Sequence, residues 1–150
     1  MTLLRTTISA SSVIRAPAEQ VWAALVDLEA YPTWNPFTPR VRSGLAVGDR
    51  VELDVVLGPR RRTRSVNHVE TIEPPALLVW SSTLGHPRLL RTRRTQQVED
   101  LGDGRTRYTT SEVFEGPLTP LVRAVSGRAV RRGFAAVADG LRRHVEGARG

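Results

Sequence analysis

Residues 13–37, VIRAPAEQVWAALVDLEAYPTWNPF, constrain this chain more than any other stretch. They encode the end of a β-branched strand, an Ala-Pro helix start, an amphipathic helix, and a turn crowded with aromatic residues and prolines. Pro17 suits the first turn of a helix, where its missing N–H leaves no bond unmade and its fixed φ is already helical. Val21, Trp22, Leu25 and Leu28 follow at helical spacing and form one apolar stripe. The spacing predicts a helix over 17–29 that must stop near Tyr31, because a residue before proline is pushed out of the α region. Pro32-Thr33-Trp34-Asn35-Pro36-Phe37 is too proline-dense to be helical and too aromatic to be a solvated linker, so it is expected to pack on something.

Composition removes many functions. With 150 residues, 40% of them hydrophobic, the chain reads as one domain, 1–150, able to bury its own core. No apolar run approaches the roughly 18 residues of a membrane span, and no signal-peptide core is seen at the N-terminus; a soluble, cytoplasmic protein is expected. There is no cysteine, which excludes disulfides, thiolate metal sites and thiol nucleophiles. All 22 basic residues are arginine, which excludes lysine Schiff-base chemistry. His68, His86 and His144 sit in three separate segments, so neither a metal nor any other cofactor is expected. The net charge of +7 raises nucleic-acid binding, but the arginines are dispersed and no recognition motif accompanies them.

The first strand is read over 4–14, with Leu4, Thr6, Ile8, Ala10, Ser12 and Ile14 on one face at period two. Further strands are expected near 39–43, 50–57, 61–72, 76–83, 88–99 and 105–114. They are separated by Gly48-Asp49, Gly58-Pro59, Pro74-Pro75, Gly85-His86-Pro87 and Gly102-Asp103-Gly104. From Pro117 to about Val145 a long amphipathic helix is expected, weakest at Ser126-Gly127. Its stripe must bury against the sheet. The fold class is therefore α+β: a seven-stranded, curved antiparallel sheet wrapped around a long C-terminal helix, with a helical insert after the first strand.

The run at 13–37 resembles the N-terminal signature of the SRPBCC superfamily, the START-like, helix-grip proteins that include polyketide cyclases and plant ligand carriers of the pollen-allergen type. The resemblance continues through Val47-Gly48-Asp49, Ile72-Glu73-Pro74-Pro75 with Leu78 and Trp80, Gly102-Asp103-Gly104-Arg105-Thr106-Arg107, and Ser111-Glu112-Val113-Phe114-Glu115-Gly116-Pro117-Leu118. It implies a helix-grip fold with a ligand cavity between sheet and helix, and it places Trp34 and Asn35 at the cavity mouth. One such fold hosts many activities.

Strand parity nominates the residues facing that cavity. If Gly102-Asp103-Gly104 forms a three-residue hairpin loop, Leu101 opposes Arg105. Val98 then faces Tyr108, Gln96 faces Thr110, and Arg94 faces Glu112. The apolar members, Val98, Tyr108 and Phe114, mark this set as the buried face. Arg94 and Glu112 are then either a structural ion pair or a site in which Arg94 anchors a ligand oxygen while Glu112 orients it or moves a proton. The same parity puts Ser65, Asn67, Val69 and Thr71 inward, although Val66 and Ile72 argue the reverse. Leu78, Trp80 and Ser82 share the inner face, with Trp80 as core filler or as a wall that stacks a planar ligand. Trp34 packs or gates, and Asn35 beside Pro36 is a turn-former before it is a ligand contact.

The family members that this chain resembles more often carry bulky, apolar or imidazole side chains at the positions of Ser65, Asn67, Arg94 and Gln96. Smaller and more polar residues here favour an oxygen-rich ligand. Arg62, Arg64, Arg91, Arg93 and Arg107, with His68, are expected on the outer face, flanked by Arg60 and Arg61. That face is either solvated or a dock for an acidic carrier protein. Three functions remain open. One is binding of a small hydrophobic, aromatic or polyketide-like molecule; another is cyclase, aromatase or dehydratase chemistry in the same cavity through Arg94, Tyr108 and Glu112; the last is a non-catalytic accessory role. Homodimer formation is left open.

Overall fold

The computed structural model describes residues 4–83, 86 and 88–149. Strand β1 (Arg5–Ile14) leads into helix α1 (Ala18–Val26), a 3-10 turn (Leu28–Thr33), and strands β2 (Arg40–Arg42), β3 (Arg50–Gly58), β4 (Arg61–Glu73), β5 (Leu77–Thr83), β6 (Arg91–Gly102) and β7 (Arg105–Glu115). Helix α2 (Thr119–Arg149) closes the chain. All seven strands form one antiparallel sheet in the order β1-β7-β6-β5-β4-β3-β2. The helix-grip architecture expected from the sequence is present. No helix among the described residues is long and apolar enough to cross a membrane.

Local chemistry explains where the elements depart from their expected limits. Helix α1 ends at Val26 rather than 29, and Tyr31 reaches back so that its hydroxyl donates to the Leu25 carbonyl at 2.5 Å. That bond satisfies one of the carbonyls a helix end leaves open. Burial raises the Tyr31 pKa far above the ordinary phenol value, so the hydroxyl stays a donor. Strand β6 begins at Arg91 rather than 88, because Leu89 N–H and Leu90 N–H turn back to the His86 carbonyl. Gly85 and Pro87 of the expected separator lie outside the described residues.

Two bulges decide which side chains face inward. The β6–β7 connection is not the expected three-residue loop: Asp103 and Gly104 both have positive φ, 56° and 73°, as a two-residue type I′ turn requires. Gly102, not Leu101, therefore opposes Arg105. Leu101 is the extra residue of a bulge, which restores the register so that Val98 meets Tyr108, Gln96 meets Thr110 and Arg94 meets Glu112. A second bulge, at Glu70, resolves the conflict in β4. Val69 pairs with inward Trp80, but beyond the bulge it is Ile72 that pairs with buried Leu78, while Thr71 pairs with Val79. Thr71 thus sits on the outer face, contrary to expectation, and Ile72 joins the core.

Helix α2 lies in the curve of the sheet, burying Val130, Phe134, Val137, Leu141 and Val145. The aromatic turn packs on its flank through two glycines. A Cβ at Gly133 would overlap the Phe37 ring, and one at Gly140 would overlap the Trp34 carbonyl oxygen. Trp34 stacks on His144, with ring centroids 6.1 Å apart, and His144 is half-buried.

Candidate functional site

Between the inner face of the sheet and the first half of α2 lies a cavity of about 320 Å³. This is near the lower end of the roughly 300–1,000 Å³ of small-molecule sites, room for one or two fused rings. Its deep end is formed by Trp80, Leu90, Arg94 and Phe114, all buried; toward Thr63 and Arg64, which are exposed, it opens between the β3–β4 tip and α2. Val122, Ser126 and Val130, one helical turn apart, supply the α2 wall.

The deep end is polar in a specific way. Arg94 is only 4% exposed, yet among the described residues no carboxylate lies within 4.0 Å of its guanidinium. Its Nε donates to Thr110 Oγ1 at 2.9 Å, and its Cζ lies 4.4 Å from the centre of the Phe134 ring. Thr110 is diagonal to Arg94 across the β6–β7 ladder, so this bond draws the guanidinium along the strand and away from Glu112, its direct cross-strand partner. The ion pair weighed from the sequence is therefore not formed as a direct contact.

Glu112 lines the same cavity, and among the described residues its carboxyl has no hydrogen-bond or ion-pair partner. Burial raises its pKa, and the field of Arg94 opposes that rise without cancelling it. Behind this pair lies a hydrogen-bonded layer. Tyr108 OH donates to Gln96 Oε1 at 2.5 Å, and burial lifts the Tyr108 pKa against the nearby Arg94 charge. Nearer the mouth, Asn67 Nδ2 donates to Ser65 Oγ at 3.1 Å.

Of the residues nominated by parity, Ser65, Asn67, Trp80, Ser82, Arg94 and Glu112 line the cavity. Gln96, Tyr108 and Thr110 do not; they support Arg94 from behind. From the aromatic turn it is Phe37 and Thr38 that reach the cavity, whereas Trp34 borders a separate depression beside Asp139, Arg143 and His144. Asn35 is a turn-former: its Oδ1 accepts from Phe37 N–H and Thr38 N–H at 3.2 and 2.8 Å. Sequence reasoning missed Leu90, Phe134 and the α2 wall; the apolar spacing of α2 marked a buried stripe but not which turn of it borders empty space. Among the described residues no cluster of histidine and carboxylate side chains is placed to hold a metal ion.

The outer face differs from the bare basic surface expected. Arg64 pairs with Asp54 at 3.4 Å, Arg93 with Glu70 at 2.7 Å, and Arg107 with Glu99 at 3.4 Å. The Arg93 contact holds the Glu70 carboxyl below its ordinary pKa.

The carboxyl of Glu112 yields a stability prediction. Its pKa is higher in the fold than in the unfolded chain, so from about pH 4.5 upward the native state binds more protons, and stability falls as pH rises through the raised value. Glu112→Gln removes that slope. In urea titrations the variant should match wild type below about pH 4, where both side chains are neutral, and should exceed it at neutral pH.

Comparison with known proteins follows the same lines. Residues 5–146 match the family described as polyketide cyclase / dehydrase and lipid transport. A protein of Penicillium oxalicum, oxopyrrolidines biosynthesis cluster protein O, is 27% identical over 94% of this chain and 87% of its own length. Among solved structures, norcoclaurine synthase of Thalictrum flavum superposes with a TM-score of 0.74 at 14% identity, covering 100% of this chain and 99% of the other. The Zhui aromatase/cyclase of a Streptomyces species gives 0.72 at 19% identity, covering 98% and 99%. At these identities the structural likeness speaks for the fold.

Proposed function

The chain belongs to the polyketide cyclase / dehydrase and lipid transport family, and on that premise we propose that it binds a small, planar, oxygen-bearing molecule, aromatic or polyketide-like, in the cavity beneath α2. The observation that carries this reading is the buried guanidinium of Arg94, which has no anionic partner among the described residues. A buried cation without a counter-charge costs several kcal/mol, and a ligand oxygen at the guanidinium would offset that cost. Trp80 and Phe114 offer apolar walls to a ring system, and Ser65, Asn67 and Ser82 offer further polar contacts. The family and its helix-grip relatives agree with a ligand-binding or cyclase-type role. Native mass spectrometry of protein purified from its own host should reveal a bound small molecule that denaturation releases. A mass equal to the bare chain, unchanged after incubation with aromatic ketones and phenols, would sink this reading.

A second reading, catalysis in the same cavity, is favoured by the carboxyl of Glu112, opposite Arg94 and without a hydrogen-bond partner among the described residues. With a carbonyl oxygen on Arg94, the Glu112 carboxylate would take a proton from the adjacent carbon. The C–H electron pair would become a C=C bond, and the carbonyl π pair would move to oxygen as an enolate held by the guanidinium. A raised carboxyl pKa suits a group that must both take and return that proton. Hydrogen–deuterium exchange at the α-carbon of 1-indanone in D2O reports this step. Wild type should exceed buffer, and Glu112→Gln should fall by about 100-fold while still binding the ketone; equal rates in the two proteins would remove Glu112 from the chemistry.

A further inference from the structure

Several outer-face arginines are paired with carboxylates, whereas four arginines near the open end of the cavity are not. Arg60 and Arg62 flank the β3–β4 tip, and Arg128 and Arg132 lie on α2; none of the four forms an ion pair or side-chain hydrogen bond among the described residues. Arg61, between the first two, reaches across to α2, its Nη1 donating to the Val125 carbonyl at 3.3 Å and its Nη2 to Ser126 Oγ at 3.1 Å. The basic tip is thereby tied to the helix at the open end of the cavity, where Thr63 and Ser126 form the rim.

The helix face beside that rim is apolar where solvent should favour polar side chains. Leu121 and Val125, one turn apart, are 59% and 58% exposed, and Arg128 and Arg132 continue the same face at i+3 and i+7 from Val125. Exposed aliphatic side chains ringed by arginine fit a surface that is anionic outside and apolar beneath. We propose that this rim docks on an anionic lipid surface, with Leu121 and Val125 entering the headgroup boundary and the arginines meeting lipid phosphates. A protein partner would need a complementary shape, whereas a bilayer conforms to a helix flank and a hairpin tip. The docking does not depend on which ligand the cavity holds, but it turns the cavity mouth toward the lipid.

Vesicle flotation tests this with full-length protein, comparing pure phosphatidylcholine with a 70:30 mixture of phosphatidylcholine and phosphatidylglycerol. Binding is expected only to the anionic vesicles and should weaken as salt rises. Arg60→Glu with Arg62→Glu should reduce it by at least about 30-fold, and Leu121→Gln with Val125→Gln by about tenfold. These positions are exposed, and circular dichroism will confirm that each variant is folded. Absence of wild-type binding overturns the proposal. So does binding lost in Arg91→Glu with Arg93→Glu but kept in the rim variants, which would move the contact to the outer face. Binding that follows the arginines but ignores Leu121 and Val125 also overturns it and favours an acidic protein surface instead.

Discussion

Gly140→Ala and Gly133→Ala are each expected to destabilise the protein by about 3 kcal/mol, at the upper end of ordinary overpacking, although alanine is the better helix former. In an open helix the exchange would gain up to about 1 kcal/mol. Here the added methyl meets matter that cannot move away: at Gly140 the Trp34 carbonyl oxygen, at Gly133 the ring of Phe37. The Phe37 ring is itself held edge-on against Phe134, with centroids 5.6 Å apart, and the Trp34 carbonyl belongs to a turn fixed by the bonds from Trp34 N–H and Asn35 N–H to the Tyr31 carbonyl. Relief would require the whole aromatic turn to lift from α2. Thermal unfolding should show a fall of roughly 10 °C for each variant, at about 2–4 °C per kcal/mol in a chain of this size. Gly127→Ala is the control, because its methyl would meet only the Arg123 side chain at 3.7 Å, and it should raise stability by up to about 1 kcal/mol.

These two glycines also show what the sequence could not say. The crowded turn at residues 32–37 announces that it must pack, and the spacing along α2 announces a buried stripe. Neither indicates that Gly133 and Gly140 are the seats, because close approach is a property of two segments and each is read alone. The bulges repeat the lesson. The identity of Leu101 and of Glu70 does not mark an unpaired residue, yet one bulge cancels a wrong turn length and the other sends Thr71 outward in place of Ile72. Alternation elsewhere was legible: period two in β6 and β7 put Arg94 and Glu112 on one face, and that face borders the cavity. What alternation could not foresee is the diagonal pull of Thr110, which separates the two charges.

Replacement of Arg94 by methionine should therefore divide stability from binding. Methionine keeps an unbranched apolar stem against Phe134 and removes a buried charge that touches no carboxylate among the described residues. Neutral residues in place of buried ions are often tolerated or stabilising, so Arg94→Met should unfold at or above the wild-type temperature. Its affinity for 2-naphthoate, followed by tryptophan fluorescence, should nevertheless fall at least about 30-fold, or ~2 kcal/mol, the loss expected on truncating one side of a buried charge contact. A variant that loses stability and keeps its affinity would mean that Arg94 serves the fold alone.

The ligand is expected to sit in the space under the first half of α2. Nuclear Overhauser contacts between 2-naphthoate and the methyl groups of the labelled protein test this placement directly. Ring protons should contact Leu90, Val122 and Val130, which line that cavity. Contacts confined to Ala136 and its neighbours beside Trp34 and His144, where a second depression lies, would contradict that placement.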